Sequence, residues 1–149
     1  MDGFATGGRT AVTELPVQNA SLLRGNPIGT RGSTFAIDEY IEGPADGATP
    51  RTIASLHLHR DEDEAWYVLE GELDVRLDDR VVRAGPGGAV WSRRGVVHTF
   101  WNPTLAPTRY LLIMGPRTRE FLARLHSGEP QDPDRIRTSA DECGIELLD

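Results

Sequence analysis

The sequence contains no lysine, so all sixteen of its basic side chains are arginine. Acidic residues number 23, and the formal net charge is -7. Binding to nucleic acid without regard to sequence needs a basic surface, so we expect no nucleic-acid partner. A phosphate-binding loop of the Walker type needs a lysine, and that class of nucleotide site is therefore excluded.

Cysteine is nearly absent as well, with Cys143 the single example. An internal disulfide is excluded, and we expect a cytoplasmic location. The first ten residues, MDGFATGGRT, lack the basic and apolar segments of a signal peptide. No apolar run approaches the ~20 residues of a membrane-spanning helix. A chain of 149 residues is long enough for one domain with its own core.

Glycine and proline are abundant, with 16 and 10 residues, and they separate short segments in which apolar and polar residues alternate. Many short strands with no helices between them predict an antiparallel sandwich or barrel. Short edge strands are also expected at residues 12–15 and 22–23. The main strands are predicted at residues 34–41, 53–59, 65–69, 73–77, 81–82, 89–91, 96–101 and 109–114, with a hairpin tip at Asp78-Asp79.

The end of the chain changes to a helical pattern. Phe121, Leu122 and Leu125 share one helical stripe. Asp132, followed by a proline, begins a second helix as its N-cap. Cys143 falls on the apolar face of that helix and is interpreted as a packing residue. We expect both helices to pack on the outside of the barrel or over one mouth, which divides the chain into an N-terminal arm (1–30), a barrel (31–115) and a helical extension (116–149).

Two of the four histidines, His57 and His59, lie one residue apart on a predicted strand. Residues two apart on a strand project from the same face, with alpha carbons about 6.6 Å apart. The turn that follows returns the chain so that Glu64 begins the next strand, and His98 lies on a later one. Imidazole and carboxylate groups that converge are ligands for a divalent transition metal.

The spacing of these residues resembles the two motifs of the cupin superfamily. The first motif places His57, His59, Glu64 and Gly71 at the superfamily's intervals, and the second does so for Gly87, Gly95, His98 and Asn102. This chain has Arg51 and Arg93 where the superfamily usually has glycine and proline. The resemblance implies an all-β fold, a single antiparallel double-stranded β-helix (jelly-roll) barrel with a C-terminal helical extension. It also implies that His57, His59, Glu64 and His98 bind the metal.

Three imidazoles and one carboxylate suit Fe, Mn, Ni, Co, Cu or Zn, and octahedral geometry leaves two positions open. Strand alternation places Trp66 on the side of Glu64 and Phe100 on the side of His98, so both are expected to wall an apolar substrate pocket. Further candidates for this wall are Trp91 and one residue of the last strand, Met114 or Leu112. Residues interpreted as solvated surface are Asp61, Glu62, Asp63 and His126. Arg93 and Arg94 are either solvated or positioned to meet an anionic substrate.

The chain is most similar to small bacterial cupins that resemble quercetin 2,3-dioxygenases. That resemblance implies a metal-dependent dioxygenase for a small aromatic or diketone-like ligand, with Glu64 as a catalytic base. Two alternatives stay open: an isomerase or cyclase in which the ion is a Lewis acid, and a cupin that binds a small molecule without turnover. A homodimer is expected through the edge strand at residues 34–41.

Overall fold

The computed structural model of the chain describes residues 18, 20–29, 32–45 and 52–149. Nine strands and two helices follow one another in these residues. None of the described helices is long and apolar enough to span a membrane. The elements are β1 (Ala36–Glu42), β2 (His57–His59), β3 (Glu64–Glu70), β4 (Leu73–Leu77), β5 (Arg80–Ala84), β6 (Ala89–Ser92), β7 (His98–Trp101), β8 (Thr108–Met114), α1 (Pro116–Leu125), α2 (Pro133–Glu142) and β9 (Ile145–Leu147).

The strands form two antiparallel sheets, which together make a jelly-roll β-sandwich. One sheet has four strands in the order β1-β8-β3-β6, and the other has five in the order β5-β4-β7-β2-β9. Strands that follow one another in sequence often lie in different sheets, so the chain crosses repeatedly between the two layers. The predicted all-β fold with C-terminal helices is confirmed.

The core lies between the sheets and is built by alternation along each strand. In β8, Tyr110 and Leu112 face inward and align with Val68 and Trp66 of β3. Leu73 enters the same cluster from the five-stranded sheet and is fully buried. The central strands therefore contribute their inward positions to one apolar cluster.

Two tight turns depend on residues that tolerate positive φ. Asp78, at the predicted hairpin tip between β4 and β5, has a φ of 53°, a conformation that aspartate adopts more readily than most residues. Gly71, between β3 and β4, has a φ of 77°. A Cβ there would lie 2.7 Å from both the Pro107 carbonyl oxygen and the Thr108 hydroxyl, so the glycine is required for steric reasons as well.

The predicted strand at residues 34–41 is present as β1, and its apolar residues do not mark the buried face. Phe35, Ile37 and Ile41 alternate with polar residues in the sequence, yet Phe35 and Ile41 are exposed. The register with β8 instead turns Ala36, Asp38 and Tyr40 inward, since Tyr40 pairs with Tyr110 and the two rings stack at 5.9 Å. The alternation of apolar residues did not show this, because one of the two buried positions of β1 is the polar residue Asp38.

Other boundaries differ where loops replace predicted strands. Only His57–His59 of the expected strand 53–59 is in β2, and only His98–Trp101 of 96–101 is in β7. Ahead of β2, the Thr99 hydroxyl donates a hydrogen bond to the Ala54 carbonyl. In a regular strand pair, a backbone amide would bind this carbonyl instead. Residues 22–23 form no strand, and residues 12–15 lie outside the described part.

The C-terminal helices form as predicted and pack on the barrel. Asp132 caps α2 by accepting a hydrogen bond from the Arg135 amide at 2.9 Å. Phe121 of α1 packs with Cys143 and Ile145, and Cys143 is buried as expected. Strand β9, which sequence analysis missed, follows α2 and pairs with β2 along all three of its residues. The helices are thereby held beside the strand that carries His57 and His59.

Replacing Leu73 by alanine should lower the free energy of unfolding by about 2–5 kcal/mol, because truncating a buried leucine leaves a cavity. Leu73 is 0% exposed, whereas Leu105, the matched control, is 84% exposed. Leu105→Ala should change stability by no more than about 0.5 kcal/mol. Urea denaturation followed by tryptophan fluorescence measures both variants. Equal midpoints would show that Leu73 does not belong to the core.

Candidate metal centre

Four side chains from three strands converge in the interior. His57, His59, Glu64 and His98 are all buried, and one ligand atom from each lies within 4.8 Å of the others. The Nε2 atoms of His98 and His59 lie 3.0 Å and 3.3 Å from Glu64 Oε2. Two ligands of one ion are at most about 4.2 Å apart at bond lengths of about 2.1 Å. Small inward shifts of the side chains would therefore let all four bind one ion.

The site joins the two sheets. His57 and His59 project from β2 and His98 from β7, neighbouring strands in which His57 is the register partner of His98. Glu64 begins β3 in the other sheet. The turn at residues 60–63 carries the chain from one sheet to the other, which explains why the carboxylate can follow the two histidines so closely in sequence and still face them.

Each imidazole is oriented by a hydrogen bond at Nδ1, so that Nε2 is turned toward the shared centre. A backbone carbonyl only accepts, so a ring facing one carries a proton on Nδ1, and Nε2 is the nitrogen that can bind a metal ion once it has lost its own proton. The partners are the Ser55 carbonyl for His57 at 2.6 Å, the Val96 carbonyl for His98 at 3.0 Å with the Ser92 hydroxyl at 3.2 Å, and the Thr118 hydroxyl for His59 at 3.0 Å.

The charges in the site influence one another strongly. Burial, together with the neighbouring His98, lowers the pKa of His57 to about 4, so this imidazole is neutral at physiological pH. Burial opposes the charged form of His59, but the Glu64 carboxylate outweighs it and raises the pKa of His59. Burial likewise acts to raise the pKa of Glu64, yet His59 and His98 hold it well below its usual range. Glu64 is therefore an ionised carboxylate, as a metal ligand must be.

One buried atom indicates that the donor set fits an ion. His59 Nε2 has no hydrogen-bond partner, because its contact with Glu64 is close enough for an ion pair but is not aligned for a hydrogen bond. A buried polar nitrogen without a partner is uncommon and calls for an explanation. A cation held by imidazole nitrogens and the carboxylate would satisfy it, and the donor types suit a divalent transition metal.

A cavity of about 450 Å³ opens onto this cluster. Phe100 lines this cavity, whereas Trp66 is fully buried behind the site, with ring centroids 5.5 Å from His98 and 5.3 Å from Phe100. Trp66 therefore supports the histidine and the phenylalanine. Leu112 also lines the cavity. Trp91 was wrongly expected on this wall, since it lies on the outer face of the sheet.

Sequence analysis missed two further groups that line the cavity. Tyr40 and Tyr110 lie side by side on its wall, and strand alternation from Leu112 would have identified Tyr110. The other group comes from the C-terminal region, which covers the mouth of the barrel with apolar side chains. These are Phe121, Leu122 and Leu125 of α1, Ile136 of α2, and Ile145 and Leu147 of β9.

The acidic turn was expected to be solvated, and the structure shows specific contacts instead. Asp61 pairs with Arg117, Glu62 binds the start of α1, and Asp63 pairs with Arg94. Arg93 and Arg94 are both exposed, and neither lines the cavity. His126 is exposed at the rim, as expected for a surface residue.

Replacing both His57 and His98 by alanine should abolish metal binding, because two of four ligands are removed. His126→Ala is the matched control: it removes an exposed imidazole and should leave the metal content unchanged. Each protein is loaded with Zn²⁺, desalted and submitted to elemental analysis. Equal metal content in the double variant and in wild type would refute the metal site.

No curated protein matches the chain. A sugar phosphate isomerase of the cupin superfamily from Silicibacter pomeroyi is 26% identical over 56% of this chain and 51% of that one, with a TM-score of 0.48. A salicylate 1,2-dioxygenase from Pseudoaminobacter salicylatoxidans is 21% identical over 58% and 24%, with a TM-score of 0.49. The chain spans about half the length of the isomerase. A Klebsiella pneumoniae protein with a double-stranded β-helix domain is 19% identical over 67% and 83%, with a TM-score of 0.49.

The family model of the cupin domain matches residues 48–114. That segment contains β2 to β8 and all four converging side chains. The match agrees with the two sequence motifs and with the jelly-roll topology of the two sheets. Over residues 48–114, the chain is therefore similar to the cupin domain in its sequence motifs and in its family-model match.

Proposed function

We propose that the chain is a metal-dependent oxidoreductase of the dioxygenase type, acting on a small, uncharged aromatic or diketone-like compound. One observation carries the proposal: the buried three-histidine, one-glutamate cluster opens directly into an apolar cavity large enough for such a compound. Four protein ligands leave two positions of an octahedral ion available to a substrate and to dioxygen.

The ion would be held by His57, His59, Glu64 and His98, whose donor types suit Fe, Mn, Ni, Co, Cu or Zn. When bound, it would supply a site for chelation through neighbouring substrate oxygens and would lower the barrier for reaction with dioxygen. The protein contributes the orientation of the three rings and the exclusion of water by the helices over the mouth.

The lining of the cavity supports an uncharged substrate. No arginine occurs among the described residues that line it, so a phosphate or carboxylate group would lack a charged partner. Apolar side chains from the barrel and the helices form most of the wall. Tyr40 and Tyr110 add phenol groups, and burial raises the pKa of both well above its usual range. Both therefore stay protonated. The Tyr40 hydroxyl donates to Asp38, so the Tyr110 hydroxyl is the one that can donate a hydrogen bond to a substrate oxygen.

Glu64 is the proposed catalytic base. Its carboxylate faces the cavity and is ionised, so it can accept a proton from the hydroxyl group of a bound substrate. Glu64→Gln keeps the shape of the side chain and removes the negative charge. Unchanged turnover in that variant would remove Glu64 from this role.

Purified protein loaded with Fe²⁺, and in parallel with Mn²⁺ or Ni²⁺, should consume dioxygen when a flavonol or a 1,3-diketone is added. One molecule of dioxygen should disappear for each molecule of substrate cleaved, because a dioxygenase incorporates both oxygen atoms. An oxygen electrode and mass spectrometry of the product in ¹⁸O₂ measure the two quantities. The His57→Ala, His98→Ala double variant is the control without metal.

Two results would point to the alternative functions. Turnover under strict anaerobiosis with redox-silent Zn²⁺ would identify a Lewis-acid isomerase or cyclase. Saturable binding of the flavonol or diketone without any product would identify a binding protein. Either result contradicts the dioxygenase proposal but leaves the metal site intact.

We further propose a homodimer formed through the four-stranded sheet. β1 is an edge strand of that sheet, and the outer face exposes Phe35, Ile41, Tyr67 and Trp91, the last of them 59% exposed. An exposed apolar surface of this kind marks an interaction site.

The proposed cytoplasmic location is supported by the free, buried Cys143. The division at residues 30 and 115 stays a prediction.

The double substitution Tyr67→Asp, Trp91→Asp should convert the dimer to a monomer, because it places two charges in the buried apolar interface. Leu105→Asp, on an exposed loop outside the strands of that sheet, is the control and should remain dimeric. Sedimentation equilibrium gives the mass of each protein. A monomeric wild type at all concentrations would contradict the proposal.

A further inference from the structure

The start of helix α1 is bound by a side chain from the turn that separates β2 from β3. Glu62 accepts hydrogen bonds from the backbone amides of Arg117 and Thr118, both at 2.9 Å. Gly115, the N-cap residue, offers no side chain for this purpose. A carboxylate at a helix N-terminus satisfies free amides and interacts favourably with the helix dipole. Glu62 therefore docks α1 onto the segment that carries the proposed ligands.

Thr118 extends this contact to one of the ligands. Its hydroxyl donates to Glu62 Oε2 at 2.8 Å and lies 3.0 Å from His59 Nδ1. A hydroxyl has one hydrogen, and the carboxylate can only accept. The hydroxyl therefore donates its hydrogen to the Glu62 carboxylate and accepts the hydrogen of His59 Nδ1. The chain of contacts is directional, from His59 through Thr118 to Glu62.

This arrangement selects the form of His59 that a metal requires. With hydrogen on Nδ1, the Nε2 lone pair is directed at the centre shared with Glu64 and His98. The other two imidazoles obtain the same orientation from backbone carbonyls near them in sequence, at Ser55 and Val96. Of the three rings, only that of His59 is oriented by a side chain of α1. Its orientation therefore depends on the docking of that helix.

The close fit at the helix start leaves little freedom for the Glu62 carboxylate. A Cβ at Gly115 would lie 2.1 Å from Glu62 Cδ, so any other residue there would displace the carboxylate. Arg117, the next residue but one, binds Asp61 at 2.9 Å and the Glu142 carbonyl of α2 at 3.1 Å. The turn thus holds the ends of both helices, and Thr118 connects that assembly to the metal centre.

We propose that Thr118 and Glu62 are positioning residues for His59, and that docking of α1 and binding of the metal ion stabilise each other. The inference rests on the proposed metal site and is independent of the reaction performed there. Coupling of this kind is reciprocal: whatever strengthens helix docking strengthens metal binding by the same factor. Since Phe121, Leu122 and Leu125 of α1 line the cavity, loading of the metal would also order the cavity roof.

The first test is a set of Co²⁺ titrations. Thr118→Val keeps the side-chain shape and removes the hydroxyl, and it should weaken Co²⁺ binding by about 10–100-fold. Thr118→Ser keeps the hydroxyl and should recover most of the affinity. Asp63→Asn is the matched control: it removes a carboxylate from the same turn, but one that binds Arg94 and not α1, so its affinity should equal that of wild type.

The visible absorption spectrum of bound Co²⁺ separates positioning from a general loss of stability. Thr118→Val should change the intensity of the d–d bands, because the nitrogen of His59 shifts, whereas Asp63→Asn should not. Equal affinities for Thr118→Val and wild type, or for Thr118→Val and Thr118→Ser, would overturn the proposal. A wild-type protein that binds no Co²⁺ would overturn the metal site itself, and the inference with it.

The second test uses hydrogen exchange and no measurement of activity. Addition of Zn²⁺ to the wild-type protein should slow exchange of the α1 amides. In Gly115→Ala, which displaces the Glu62 carboxylate, this slowing should be reduced, and Zn²⁺ binding should weaken with it. Exchange in α1 that does not respond to Zn²⁺, although Zn²⁺ is bound, would show that the helix and the metal are not coupled. That result would leave the proposed oxidation untouched.

Discussion

The buried carboxylate of Glu64 imposes the strongest constraint on this molecule. An ionised carboxylate without partners costs several kcal/mol in a protein interior. Here, the imidazoles of His59 and His98 reach it from the opposite sheet, so the electrostatic requirement is met only when the two sheets face each other. The site that we propose for the metal is thus also a contact between the layers of the sandwich. The fold and the proposed function depend on this same cluster, and a divalent cation would bind its carboxylate directly.

The C-terminal region makes that cluster usable. Without α1, α2 and β9, the barrel mouth would lack the apolar side chains that cover it, and the β2 strand would lose its neighbour on one side. The acidic turn is what joins these parts, since each of its three carboxylates has its own arginine or helix partner. A charged segment directly beside the candidate metal site therefore has a structural function. It holds the helices over the cavity and, through Thr118, orients a ligand.

Prediction from sequence succeeded where the pattern is local. The spacing of His57, His59 and Glu64 follows from a strand, a turn and a strand, so the approximate geometry could be inferred without coordinates. Helix α2 was located by Asp132 and the following proline for the same reason. The predictions that failed concern which face of a strand is buried and which groups contact a given side chain. In β1, the apolar Ile41 is exposed because the pairing with β8 turns Tyr40 to the core. No composition rule identifies which face of an edge strand is covered.

The amino-acid sequence by itself determined the strand-rich fold, the two helices and the approach of His57, His59 and Glu64, because alternation, capping and short turns act over a few residues. His98, much later in the chain, was added by the resemblance of the second motif. Only the tertiary structure decided which groups orient those ligands and what closes the cavity. The contact of Thr118 with His59 spans 59 positions, and the pairing of β9 with β2 joins the last residues to the centre of the chain. Such contacts depend on how two sheets and two helices pack in three dimensions, and their residue types carry no periodic signal.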